Sequence, residues 1–229
     1  YAIDAENWHE SPPAQRQSFL RDLHRREPDK ALTLLSEAFS TESAAVRARL
    51  LSALEPNVSE REEPFLVGLM QDRAKSVVTA ATALLARIPG TVAFDTRLGD
   101  AVSSLSMRST GLLRRAKTLQ VNVPANVHEG VRWDWVRERF AGLHPSAFAK
   151  ALDMDMPALS KAMQDRHLRI LWPVEALQAN DLALAEMFVT DLNEDAIEAL
   201  VYRSPDTLSD LTIEARDFAM TVFGRPRHL

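Results

Sequence analysis

Six histidines are the first residues to ask about chemistry: His9, His24, His128, His144, His167 and His228. No two stand four apart, so no helix presents the paired imidazoles of a zinc hydrolase. The segment Asp191-Leu192-Asn193-Glu194-Asp195 imitates the start of a calcium loop. Its sixth position needs the free backbone of glycine and holds Ala196, and its twelfth needs a bidentate carboxylate and holds Tyr202. These acids are expected instead to cap the following helix, where negative charge meets the positive end of the dipole. Asp153 and Asp155 are two apart and cannot share a helix face, which suits a solvated loop. No glycine-rich phosphate loop, nucleophile elbow or dinucleotide fingerprint occurs. With no cysteine, thiolate metal sites and disulfides are excluded. The expectation is no catalytic residue, no metal and no cofactor.

Two features point to binding. Arg108, Arg114, Arg115 and Lys117 lie in a stretch from Ala101 to His128 that contains no acid. Such a patch can contact phosphate or an acidic protein, and it can equally be a solvated basic face. Trp135 is two positions beyond Trp133, roughly 200° around a helix, on the side of Glu138 and Arg139. It is either an exposed aromatic of the kind found at interface hot spots or a residue packed under a neighbouring helix.

The elements that must position these residues read as helices. Ala and Leu dominate while the chain has only 7 Gly and 2 Tyr, a bias that favours helix over strand. Hydrophobic residues at 46% exclude general disorder, and 229 residues suffice for one large domain or two small ones. A helix is expected over 14–26, with Phe19, Leu20 and Leu23 on one face. Pro28 can open the next, in which Ala31, Leu34, Leu35 and Ala38 form an amphipathic stripe. After a polar break, Val46, Leu50, Ala53 and Leu54 repeat the stripe. Ser59 and Glu62 have the spacing of a capping box, although Pro64 favours a helix that opens later. Leu66, Leu69 and Met70 follow, then the run Val77, Ala80, Ala81, Leu84, Leu85 and Ile88, closed by Pro89-Gly90.

Leu34-Leu35 maps on Leu69-Met70 at an offset of 35 and Val46 on Val77 at 31. Two helices per 31–35 residues is the pattern of an α-solenoid, with an irregular bundle as the alternative. The expected fold is all-α: stacked antiparallel helix pairs over 1–90, a helix plus extended connector over 91–128, and a C-terminal helical region over 129–229. A helix is placed at Phe94–Leu105, and the alternation Leu119, Val121, Val123 allows a short extended segment within 111–124. Trp133, Val136 and Phe140 share a face further on. Pro145 and Pro157 are expected to start short helices, Asp165, Asp181 and Asn193 to cap, Pro173 to begin a new helix, and a last helix to carry Ala215, Phe218, Ala219 and Val222.

Glu42-Ser43-Ala44-Ala45-Val46-Arg47 and Asp72-Arg73-Ala74-Lys75-Ser76-Val77 resemble the second helix of HEAT repeats, an acid several positions before a Val-Arg pair. Arg47 matches the arginine of that pattern, while Val78 stands where the second would be. The stretch from Arg26 to Gly90 is similar to a bacterial HEAT-like family of unknown function, and a weaker similarity continues through LQVNVP and beyond. The resemblance implies the fold and no site residues. Because members are encoded near AAA-type ATPases and von Willebrand A-type proteins, it also implies an accessory or scaffold role.

The function expected is therefore a non-catalytic protein–protein interaction module with an unidentified protein partner. The alternative is a helical-repeat protein gripping nucleic acid through its basic patch, which the net charge of −5 disfavours. No apolar run approaches the roughly 20 residues of a membrane span. The absence of cysteine fits a reducing cytoplasm, the compartment expected, and is compatible with a periplasm. The opening YAIDAENWHE has neither methionine nor a signal pattern, so the chain is expected to be a portion of something slightly longer.

Overall fold

A computed structural model describes residues 3–110 and 116–189, with 214, 215 and 217 besides. Helices dominate, and the described residues fall into two compact units, 1–96 and 97–229.

In the first unit, prolines set the helix starts. Pro13 and Pro28 occupy first-turn positions of α1 (Pro13–Arg26) and α2 (Pro28–Phe39), where a missing N–H leaves no bond unmade. Ser43 accepts from the Val46 amide at 3.4 Å to open α3 (Ala44–Leu51), which tightens into a 3-10 turn over Ser52–Asn57. Only half of the expected capping box forms: Glu62 Oε2 accepts the Ser59 N–H at 2.8 Å. With Pro64 in place, α4 (Glu63–Gly68) then starts three residues later than a full box would allow, and α5 (Lys75–Leu85) follows a second tightened turn. Thr91 accepts from the Phe94 amide at 3.1 Å and starts α6 (Val92–Ser103), two residues earlier than the periodicity indicates; the helix belongs to the second unit from Arg97 onward.

α3 packs against both α1 and α5, while α2 lies on α1 and α4 on α5. The core they enclose is aliphatic. Leu20, Leu35, Leu50, Leu51, Leu54, Leu66, Val77, Ala81 and Ile88 are completely buried. Each buried Leu contributes about 2 kcal/mol by leaving water, so the stripes read from the sequence are the principal adhesive of this unit.

The second unit adds a strand that the apolar pattern does not announce. β1 (Leu105–Thr110) pairs antiparallel with β2 (Ala116–Val121), the extended segment that the alternation does announce. Leu105–Thr110 has only weak alternation, and its strand state follows from having β2 opposite. Leu119 is fully buried and its carbonyl accepts from the Gln164 amide at 3.2 Å, which anchors the ribbon.

Among the described residues five α-helices follow: α7 (Arg132–Phe140), α8 (Pro145–Ala151), α9 (Met156–Ala162), α10 (Leu168–Gln178) and α11 (Leu182–Val189). Pro145 and Pro157 sit in first turns as their positions predict. Asp165 accepts from the amides of His167 and Leu168, and Asp181 from that of Leu184, so both act as caps. Pro173 does not begin a helix; it lies inside α10. Its ring removes one helical donor, but Leu171, Trp172, Val174 and Leu177 around it are all buried, and that burial outweighs the lost bond. The core here is an aromatic chain. Phe140 and Phe148 have ring centroids 5.7 Å apart, Phe148 and Trp172 5.2 Å, and Trp172 and Phe188 5.6 Å. Asn193, the acidic run 191–195, and Phe218 to Val222 lie outside the described residues.

No helix among the described residues is long and apolar enough to cross a membrane.

Candidate functional site

Charged groups in the first unit are turned inward on one another. Arg16 of α1 is almost wholly buried; it bonds the Glu42 carboxylate, and its guanidinium stands 5.6 Å from the Trp8 ring. Arg47 of α3 does the same one step along. It forks onto both oxygens of Asp72, with Nη2 to Oδ1 at 3.3 Å, and stands 5.3 Å from the Phe39 ring. Trp8 to Phe39 and Arg16 to Arg47 are each separated by 31 residues, and Glu42 to Asp72 by 30. The same clamp is therefore built twice: an aromatic, an arginine eight residues later, and an acid at the head of the next second helix. Thirty-one residues further on stand Met70 and Val78, and the clamp ends.

The acids of these clamps are held as anions. The Arg16 guanidinium keeps Glu42 below the usual carboxylate range. For Asp72 the Ala74 amide, 2.8 Å away, is the largest single cause and Arg47 adds to it. Beside them, Glu62 is fully buried and bonds His24 at 3.1 Å. Burial alone would raise Glu62, but His24 and the amide and hydroxyl of Ser59 outweigh it and hold the group low. Arg47 is thus committed to Asp72 rather than presented to a phosphate.

The residues expected to bind are distributed as follows. Arg114 and Arg115 lie outside the described residues. Arg108 and Lys117 are both exposed on the ribbon. Arg108 pairs with Thr118 and Lys117 with Ser109, so they belong to opposite faces of the two strands. Trp135 is half-buried, and it is covered from its own helix: the Arg139 guanidinium lies 4.6 Å from its ring centre.

Trp135 also lines a pocket of ≈ 260 Å³ with Arg97, Asp100, Glu138 and Arg139. Two α6 residues and three α7 residues converge here, which local spacing could not reveal. Arg97 reaches the C-terminal end of α7, donating to the Ala141 carbonyl and, at 3.4 Å, to that of Glu138. That is where a cation best meets the negative end of the helix dipole. Arg139 donates to Ser104 Oγ at 3.3 Å while stacking on Trp135. The carboxylates of Asp100 and Glu138 are exposed and have no ion-pair partner among the described residues.

Two further titratable groups sit deeper. Asp165 stays below the carboxylate range because the His167 ring and the amides of His167 and Leu168 outweigh its burial. Burial pushes His144 down, against the attraction of Asp181. Both serve helix starts, His144 by accepting from the Ser146 amide at 3.3 Å. No group of three or more potential metal ligands gathers among the described residues.

Comparison with curated proteins and with solved structures returns no match. One family model covers residues 2–201, nearly the whole chain, and on that span the chain belongs to DUF5691, a family of unknown function.

Proposed function

We propose that the protein is a non-catalytic protein–protein interaction module of HEAT-like type, accessory to a larger assembly such as an ATPase complex. The observation that supports this best is the clamp repeated at 31 residues on helices α1 and α3, which pack side by side with α5. Helix pairs joined by equivalent contacts are the way repeat proteins extend a surface rather than enclose a site. Arginines that already satisfy an acid and an aromatic are framework, which leaves recognition to exposed groups such as those around Trp135.

The experiment is affinity capture of the tagged full chain from its native host at endogenous level. A defined protein recovered in near-stoichiometric amount is the expected result. Recovery of none, under gentle and crosslinked conditions alike, overturns the proposal.

A further inference from the structure

The geometry points to the pocket between α6 and α7 as a receptor for one cationic side chain, a lysine or an arginine presented by a protein partner. Its volume, ≈ 260 Å³, lies below the range of about 300–1,000 Å³ usual for cofactor and drug-sized ligands and suits a single long side chain. Both of its own cations are engaged internally, Arg97 on the carbonyls closing α7 and Arg139 on Trp135 and Ser104. The negative groups are not: Asp100 and Glu138 line the space from two different helices with no ion pair among the described residues. Carboxylates beside an indole are the combination that attracts an ammonium or guanidinium, by charge and by the ring's negative face.

The arginines also set the shape. Arg139 covers one side of Trp135, so an incoming cation meets the remaining indole surface at the carboxylate side. Arg97 fixes the end of α7 to α6, so the backbones that carry Asp100 and Glu138 are held in place before a guest arrives. A preformed site loses little conformational freedom on binding. Assignment of the cation to a protein partner rests on the interaction-module reading; the site's preference for a cation does not.

The test uses the full chain and four small probes: the Nα-acetyl amides of lysine, arginine, norleucine and glutamate. Binding is read from the indole N–H resonance of Trp135, identified by its absence in Trp135→Phe, and from the backbone amide of Glu138. Indole contact and two carboxylates together are expected to give weak binding of about millimolar Kd, so the lysine and arginine probes are expected to shift both resonances saturably at such concentrations. Norleucine and glutamate probes are expected to leave them in place. Asp100→Asn with Glu138→Gln, both at exposed positions, is expected to weaken the cationic probes at least tenfold with the fold intact. No saturable shift, an equal shift with norleucine, a stronger one with glutamate, or undiminished binding by the double variant each overturns the inference. Capture from the host separates the two ideas. A partner retained by the double variant, with silent probes, removes the pocket and keeps the module; probes that bind while no partner is ever captured do the reverse.

Discussion

The two units solve the same problem, holding helices together, with different materials. Unit 1–96 uses leucines and alanines for bulk and places two arginines, Arg16 and Arg47, between helices as ion-paired links. Unit 97–229 uses a chain of rings, Phe140, Phe148, Trp172 and Phe188, and leaves carboxylates at a pocket mouth. Aliphatic packing answers to volume, whereas links and rings depend on orientation as well. The first unit should therefore be sensitive to charge and the second to shape.

The largest effect is expected from Trp172→Ala, which empties the centre of the ring chain. A loss of about 4 kcal/mol is expected, read from urea unfolding followed by far-UV dichroism. Trp172→Phe should cost far less, because the indole Nε1 is buried without a partner and its removal relieves that group. If the two substitutions cost the same, the ring chain is not what holds the second unit. Next is Glu62→Ala, which strands buried His24 and should cost about 3 kcal/mol, again by urea unfolding. Arg47→Met should cost about 2 kcal/mol, the value of hydrogen bonds to a charged group. Arg16→Met should cost at least as much, since it breaks the same kind of contact from a more buried position. A markedly smaller cost at Arg16 would break the equivalence of the clamps.

Acid should separate the units without mutation. Glu42, Glu62 and Asp72 are held below their ordinary values of 4.5, 4.5 and 3.8. The stability they contribute is complete above those values and is lost as pH falls through the depressed folded ones. Asp165 behaves likewise in the second unit. His144 differs: the fold favours its neutral form, so its contribution is complete above the ordinary 6.5 and declines as pH falls through the lowered folded value. Hydrogen exchange should therefore show loosening around 144–152 on mild acidification, while the amides of 42–47 and 62–77 hold until the carboxylate range. Simultaneous loosening would remove the distinction. The smallest effect is expected from Arg108→Ser and Lys117→Ser, each within about 0.5 kcal/mol by thermal unfolding, since both are exposed and lie on opposite faces of the ribbon.

Much of this is legible in the residues themselves. Proline at 28, 145 and 157 and aspartate at 165 and 181 mark helix starts because their effects are local, confined to one turn. The aliphatic stripes are legible because burial follows helical period. What escapes local reading is partnership across sequence. Arg16 stands in a polar run that resembles a solvated face, and only Glu42, 26 residues on, makes it a buried link. That also hides the first member of the repeat, which begins at Trp8 rather than after Pro28. β1 is invisible until β2 is opposite it. Pro173 misleads because its usual effect is weaker than the burial on either side. Trp135 is visible as an outlying aromatic, but its pocket partners Arg97 and Asp100 come from another helix more than thirty residues away.

The clamp also bears on how such a chain can change length. Each arginine reaches forward to the acid that heads the following segment, so the two junctions are built on one plan. Excising 40–70 would bring Asp72 to within one residue of the place Glu42 now holds, facing Arg16 across the join, but would also remove Glu62 and strand the buried His24. The two clamps thus set like charges at an interval of about 31 residues, and Met70 and Val78 mark where the series stops.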